Sequence, residues 1–308
     1  MTLQRIAVIT GPTASGKTDF SLALARILGA EIVVADSMQV YRGLDIGTAK
    51  PTMEQRREVP HHLLDIAGID EPFNAARFRE TALAAIGEIS GRGRPCLVVG
   101  GTALYIKVLL EGLVDAPGRD EILRAELQRR WESGEREALY RELCEADLQS
   151  AQKIHPNDRT RTIRGLELWL SAGVKPSQLR AAHSFAERPF DALVFAMSVE
   201  RGELYRRIDA RVEEMVVAGW VGEVRALLEG GYPPDLTPFG AIGYREIVKH
   251  ITHGVPMDET VAMIKKSTRN FAKRQLTWMR KMEVSWVSVE DVLPVAGQLG
   301  DFFSKRGI

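Results

Sequence analysis

Residues Gly11-Pro12-Thr13-Ala14-Ser15-Gly16-Lys17-Thr18 match the phosphate-cradling pattern G-x-x-x-x-G-K-[ST] in full. The apolar run 6–10 precedes them as a buried strand should, and a helix-like stretch, 18–28, follows. Strand, glycine turn and helix must then meet so that backbone N–H groups and the positive end of the helix converge on one anion. Lys17 adds a point charge, and the Thr18 hydroxyl is the expected Mg²⁺ ligand. The pattern calls for a diphosphate or triphosphate. It is silent on the compound that carries it.

Short β-branched runs recur at 6–10, 31–35, 62–67, 96–100, 193–199 and 285–289, with helix-like stretches between them. Such alternation predicts an α/β fold, a P-loop NTPase-like core with a mainly parallel sheet and helices on both faces. Sites in folds of this kind lie at the carboxyl ends of the strands. Three of those ends carry notable residues: the phosphate loop, Asp36-Ser37 and Gly100-Gly101-Thr102. From about 115 to 189 the alternation stops, and only helical segments are expected, at 121–132, 135–147 and 158–172. Ala116-Pro117-Gly118 opens this region, and Lys175-Pro176 and Arg188-Pro189 punctuate its end. The expected organisation is a core built from 1–114 and 190–308, with an all-helical domain, 115–189, inserted into it. Two long helices, 203–229 and 258–281, flank a glycine-rich elbow at 239–245.

Composition narrows the setting. With 308 residues, 45% hydrophobic and 27% charged, the chain is globular by composition. No run of about 18 apolar residues is present, so no membrane span is expected, nor is a signal peptide, because the first strand begins almost at once. Cys96 and Cys144 are too few for a disulfide framework, and a cytoplasmic location is expected. His61-His62 lacks metal-ligand spacing and reads as loop or surface. The 41 basic and 41 acidic residues cancel, but the basic ones concentrate at 159–164 and 265–281.

In ordinary nucleoside triphosphatases with this loop, a second apolar strand ends in the Asp that supports Mg²⁺. The best such strand, 96–99, runs into Gly100-Gly101-Thr102 with no acid, which tilts the site away from ATP hydrolysis. Asp36 closes the 31–35 strand instead and admits three readings: a metal-supporting group, a general base facing an acceptor, or a structural cap on the Ser37 turn. Arg207 and Arg211 lie one helical turn apart and could neutralise a leaving diphosphate, with a surface pairing of Arg207 to Glu203 as the rival. On a helix, Lys266, Arg269, Lys273, Thr277 and Arg280 fall in one stripe, with Ile264, Phe271, Trp278 and Met282 opposite, towards a core. That stripe, with Arg159, Arg161 and Arg164, reads as a track for a nucleic-acid backbone or as a solvated face.

Several segments together resemble one family. They are the loop 11–18, Asp36-Ser37-Met38-Gln39-Val40-Tyr41, Asp45-Ile46-Gly47-Thr48-Ala49-Lys50-Pro51, Val99-Gly100-Gly101-Thr102-Ala103-Leu104-Tyr105, Gly243-Tyr244-Arg245 and Lys273-Arg274-Gln275-Leu276-Thr277-Trp278-Met279-Arg280. The family is that of the tRNA dimethylallyltransferases, also called tRNA isopentenyltransferases, and the chain is similar to its bacterial type. The resemblance implies transfer of a dimethylallyl group from dimethylallyl diphosphate to N6 of adenosine 37 of tRNA. It also implies Mg²⁺ on Thr18, the diphosphate on Gly11 to Thr18, and Asp36, Thr102, Arg211 and Arg207 as catalytic residues. The tRNA contacts it implies are Asp36, Ser37, Met38 and Gln39; Thr160, Arg161, Thr162, Ile163 and Arg164; Gly240, Ala241, Ile242, Gly243, Tyr244 and Arg245; and Lys273 to Arg280. The helical insertion would grip the anticodon stem, and a monomer is expected. A small-molecule kinase, an adenine-nucleotide prenyltransferase and an RNA-binding ATPase module are the rivals. The two basic tracts disfavour a free nucleotide as acceptor, and the missing acid after Val99 disfavours an ATPase.

Overall fold

The computed structural model describes residues 3–183 and 187–304. In chain order the first elements are β1 (Gln4–Thr10), α1 (Lys17–Leu28), β2 (Glu31–Val34), α2 (Met53–Glu58), β3 (His61–His62), α3 (Ala75–Gly91), β4 (Cys96–Gly100) and α4 (Ala103–Glu111). Next come α5 (Glu121–Glu132), α6 (Arg136–Ala146), α7 (Leu148–Ala151), α8 (Arg159–Ala172) and α9 (Pro176–His183). The chain then continues through β5 (Phe190–Met197), α10 (Arg201–Val217), α11 (Trp220–Glu229), α12 (Tyr244–His253), α13 (Met257–Met279), β6 (Ser285–Val287) and α14 (Val292–Ser304).

The six strands form one all-parallel sheet in the order β3-β2-β4-β1-β5-β6. This is the expected P-loop NTPase-like core. Ala7 on β1 is in register with Leu97 on β4 and with Leu193 on β5. Successive strand residues point to opposite faces, and Ile6, Ala7, Val8 and Ile9 are all fully buried. Both faces of β1 are therefore covered, which is why the run lacks polar alternation. Phe20, Leu22 and Leu24 of α1 and Val295 and Leu299 of α14 share one core with Ile9, Ile32, Leu97 and Phe195. Each such Leu or Phe contributes about 1.5–3 kcal/mol on burial.

Two expected elements differ. The strand expected at 62–67 stops at His62, because Leu63 (φ 66°) and Asp65 (φ 56°) enter the left-handed region and break the ladder. Asp65 is held there by Lys50 at 2.5 Å and Arg56 at 2.6 Å, and Ala67 meets the chain again through a bridge to Tyr41. The helix expected over 203–229 divides into α10 and α11 at Gly219, whose φ of 101° no helix accommodates.

The chain divides into two compact units, Met1–Leu110 with Arg188–Ile308, and Glu111–Glu187. The described residues of the second unit contain no strand. Its helices close around Leu127, Leu139, Leu143, Ile154, Ile163 and Leu166. Gly165 of α8 allows the close approach of α6: a Cβ there would lie 2.8 Å from Leu143 Cδ1. Glu167, fully buried, is paired with Arg124 and Arg164, each at 3.0 Å, and accepts the Asp120 N–H at 2.9 Å.

Candidate active site

β1 ends within the sheet, and the chain turns through Ala14 (φ 62°) and Gly16 (φ 86°) into α1. The loop closes on itself with Ser15 N–H donating to the Pro12 carbonyl at 3.3 Å. Gly11 is required by packing, since a Cβ there would lie 2.8 Å from Met197 Cβ. Lys17 Nζ donates to the Pro12 carbonyl at 2.7 Å. Burial, reinforced by the Arg211 charge and opposed by Asp36, lowers the Lys17 pKa from 10.5 to about 7. The Ser15 hydroxyl is buried without a hydrogen-bond partner among the described residues.

The ends of β2 and β4 meet beside this loop. A Cβ on Gly100 would lie 2.1 Å from the Ala35 carbonyl oxygen, so the two backbones touch only because that position is glycine. Asp36 Oδ1 accepts the N–H groups of Met38 at 2.8 Å and Gln39 at 3.2 Å. The capping role considered for Asp36 is thus real, and it uses one carboxylate oxygen. Thr102 Oγ1 accepts the Ser37 N–H at 3.1 Å, and Thr102 N–H donates to the Ala35 carbonyl at 3.3 Å.

Two adjoining cavities open here. The smaller, about 120 Å³, is lined by Lys17, Thr18, Gly101, His61 and Gln39. The larger, about 340 Å³, is walled mainly by apolar groups, among them Met38, Ile208, Met215, Trp220 and Ile242, with Thr102 and Ser37 on its polar side. Thr13, Asp36, Thr48, Arg211 and Phe271 line both. One carboxylate and one guanidinium therefore stand where a polar, anion-ready compartment meets an apolar one. Desolvation lowers the Arg211 pKa while Asp36 and Glu214 raise it; the guanidinium stays charged. His61 is a correction to its surface reading. Its ring reaches the smaller cavity, Nδ1 lies 2.7 Å from the Val59 carbonyl, and burial and then Arg56 lower its pKa.

α10 separates the two arginines that the sequence treated alike. Arg211 faces the cavities, whereas Arg207 pairs with Glu203 at 2.6 Å and lines neither. α13 shows a similar correction. Phe271, expected towards a core, lines both cavities, and Arg269, expected on the basic stripe, is held by Asp209 at 2.6 Å. Lys266, Lys273, Arg274, Thr277 and Arg280 are exposed, and Arg274 borders the larger cavity. Met279 is fully buried, Gln275 is 5% exposed, and Leu276 packs on the Leu204–Ile208 cluster. Gln275 and Met279 are therefore turned away from solvent, while Leu276 is half-buried.

The elbow before α12 contributes Gly240, Ala241, Ile242 and Tyr244 to the larger cavity. Gly243 (φ 88°) packs under Trp220, where a Cβ would lie 1.8 Å from the indole, and a Cβ on Gly47 would lie 2.0 Å from the same ring. Arg245 is engaged by Glu246 at 2.8 Å and donates to Ser267 at 3.1 Å. Glu223 carries no local sequence signal for its role. It accepts the N–H groups of Asp45 (2.8 Å), Ile46 (2.7 Å) and Gly47 (3.3 Å) and the Tyr244 hydroxyl (2.6 Å). One carboxylate thereby seats the whole 45–47 turn.

In the helical unit, Thr160 and Arg161 are exposed at the start of α8. Thr162 and Ile163 are buried in its core, and Arg164 is committed to Glu167 and to the Pro117 carbonyl at 2.8 Å. Arg159 pairs with Glu132 at 3.2 Å and Arg161 with Asp158 at 3.4 Å. Both pairs are solvent-exposed and can be exchanged for another anion at little cost.

No group of three or more His, Cys, Asp or Glu side chains that could hold a metal occurs among the described residues. The smaller cavity does offer a hydroxyl on Thr18 and a carboxylate on Asp36. That sparse oxygen set suits a Mg²⁺ ion whose remaining ligands are phosphate oxygens and water. The site as a whole can cradle a phosphorylated leaving group, stabilise its growing charge with Lys17 and Arg211, and accept a proton at Asp36 from a nucleophile in the apolar compartment.

Residues 39–282 match the family described as IPP transferase. The chain is 50% identical over 285 residues to "tRNA dimethylallyltransferase 1" of Trichlorobacter lovleyi, covering 92% of this chain and 93% of that one. Among solved structures, a full-length tRNA isopentenylpyrophosphate transferase from Bacillus halodurans superposes with a TM-score of 0.72 at 35% identity, covering 97% of each chain. A eukaryotic dimethylallyltransferase acting on tRNA superposes with a TM-score of 0.82 at 28% identity, covering 99% of this chain and 81% of that one.

Proposed function

The chain belongs to the IPP transferase family and transfers a dimethylallyl group to tRNA, and we propose how its residues divide that work. The donor is dimethylallyl diphosphate, the acceptor atom is N6 of adenosine 37, and the products are the N6-dimethylallyl nucleoside and diphosphate. The observation that carries this reading is the sharing of Asp36 and Arg211 by the phosphate-loop cavity and the apolar cavity.

Gly11 to Thr18 hold the diphosphate through backbone N–H groups, with Lys17 as the cationic partner. The dimethylallyl group projects into the apolar cavity, where Phe271 and Met38 exclude water from the allylic carbon. The adenine amine attacks that carbon, the carbon–oxygen bond breaks, and the electron pair leaves on the diphosphate. Asp36 takes the proton released from N6, and Thr102 stands at the acceptor side. Arg211 meets the charge that develops on the leaving oxygen. Mg²⁺, held by Thr18, supplies further charge neutralisation when bound. Lys273, Arg274, Thr277 and Arg280 contact the tRNA backbone, as do Thr160 and Arg161 of the helical unit. Delivering adenosine 37 to the cavity requires unstacking it, at about a few kcal/mol.

Incubation with labelled dimethylallyl diphosphate, Mg²⁺ and unmodified tRNA, with AMP as a competing acceptor, tests the reading. Label should reach tRNA alone, at adenosine 37, and chelation of divalent ions should stop it. Label on AMP, or transfer that needs ATP, would overturn the assignment.

A further inference from the structure

Gln275 follows the exposed Lys273 and Arg274 on α13, yet its own side chain is buried to 5% exposure. A buried amide is tolerated when its donor and acceptor are both satisfied. Oε1 accepts the N–H of Thr13 at 2.9 Å, and Nε2 donates to the carbonyl of Gly101 at 2.9 Å. The orientation of the amide is dictated by its partners, since a backbone N–H only donates and a carbonyl only accepts. Thr13 belongs to the phosphate loop, and Gly101 immediately precedes Thr102. The amide fits because residue 101 has no side chain: a Cβ there would lie 2.3 Å from Nε2. From Thr102 the connection continues through Oγ1 to the Ser37 N–H at 3.1 Å, next to Asp36.

We propose that Gln275 is a positioning residue for the transfer step, its one amide fixing the gap between the diphosphate cradle and the Thr102–Asp36 side that receives the nucleophile. It does so from a stiff support. α13 runs for 23 residues, and Ala272 and Met279, on either side of Gln275, are fully buried. Removing the amide leaves Thr13 N–H and the Gly101 carbonyl unpaired, and the two loops then relax independently. Donor carbon and acceptor nitrogen lose their alignment, and a misplacement of about 1 Å costs about 10²-fold in rate. The inference rests on the roles given above to the phosphate loop, Thr102 and Asp36.

Steady-state transfer by the full chain, with each substrate varied in turn, separates the possibilities for wild type, Gln275→Met and Gln275→Glu. Gln275→Met preserves volume and removes the amide. Its kcat should fall by about 10- to 100-fold, with KM for tRNA changed by less than about threefold. Gln275→Glu keeps an acceptor for Thr13 but turns a second carboxylate oxygen towards the Gly101 carbonyl. Protonation restores a donor there, so the ratio of its kcat to that of wild type should rise as pH falls. All rates are taken well below the melting temperature of each variant, so lost fold does not enter the comparison. An unchanged kcat in Gln275→Met, a loss confined to KM for tRNA, or a ratio for Gln275→Glu that is flat with pH would each overturn the proposal. Failure of the underlying reading looks different: wild type would then transfer nothing to tRNA, or Asp36→Ala would retain full turnover.

Discussion

Lys17, Asp36 and Arg211 set the charge of the site. Burial and the neighbouring Arg211 bring Lys17 down to about 7. In the free protein Lys17 therefore loses its proton as pH rises through about 7, whereas a bound diphosphate retains that proton. Donor affinity should be full below about pH 7 and decline above it, by at most about tenfold per unit. Donor titrations between about pH 6 and about pH 9 would show this, and Lys17→Arg, which stays charged, should flatten the decline. Arg211 and Arg207 sit one turn apart on α10, but only Arg211 reaches the cavities, while Arg207 pairs with Glu203. Arg211→Ala should lower kcat by about 10²- to 10³-fold, the usual loss for one charge-stabilising donor. Arg207→Ala should leave kcat within about threefold of wild type. Equal losses would return Arg207 to the active site. The spacing of the pair was legible in the sequence; the choice between them was not, because it depends on which side of the helix meets the sheet.

α13 has an exposed side with Lys273, Thr277 and Arg280, and an opposite side that is buried at Ile264, Ala272 and Met279 and lines the cavities at Thr268 and Phe271. Its helical period was readable, but the basic stripe and the apolar stripe taken from it each included a residue that packing assigns elsewhere. Arg269 belongs to Asp209, and Phe271 belongs to the site. Binding of tRNA by the full chain, measured over a range of salt, should distinguish the two kinds of basic residue. Lys273→Ala should weaken binding and reduce the salt slope by about 1. Arg269→Ala should leave the slope unchanged, because its charge is already compensated within the protein. Glu223 makes the converse point. A single acid on α11 organises a turn about 180 residues earlier in sequence, and no local pattern marks it.

At the scale of the molecule, two separately cored units give a test of their independence. Glu167 is fully buried between Arg124 and Arg164, and Glu167→Ala would strand two guanidinium groups. A loss of about 3–5 kcal/mol is expected for breaking such a pair. Hydrogen exchange should speed up within Glu111–Glu187 while β1, β4 and β5 keep their protection. Exchange that accelerated equally in the sheet would show that the two units unfold as one. By itself, the sequence determined the phosphate loop, the positions of five of the six strands, the helical character of the middle segment and the acid at the end of β2. Each of these is written in contiguous residues, because backbone geometry and hydrophobic period are local. Only the tertiary structure decided that Gln275 joins the phosphate loop to Gly101, that Trp220 packs over Gly47 and Gly243, that His61 reaches the smaller cavity, and that Thr162, Ile163 and Met279 are core. Those outcomes depend on which distant segments meet across the carboxyl ends of the strands. Periodicity gives a helix its faces, but only packing assigns each face a partner.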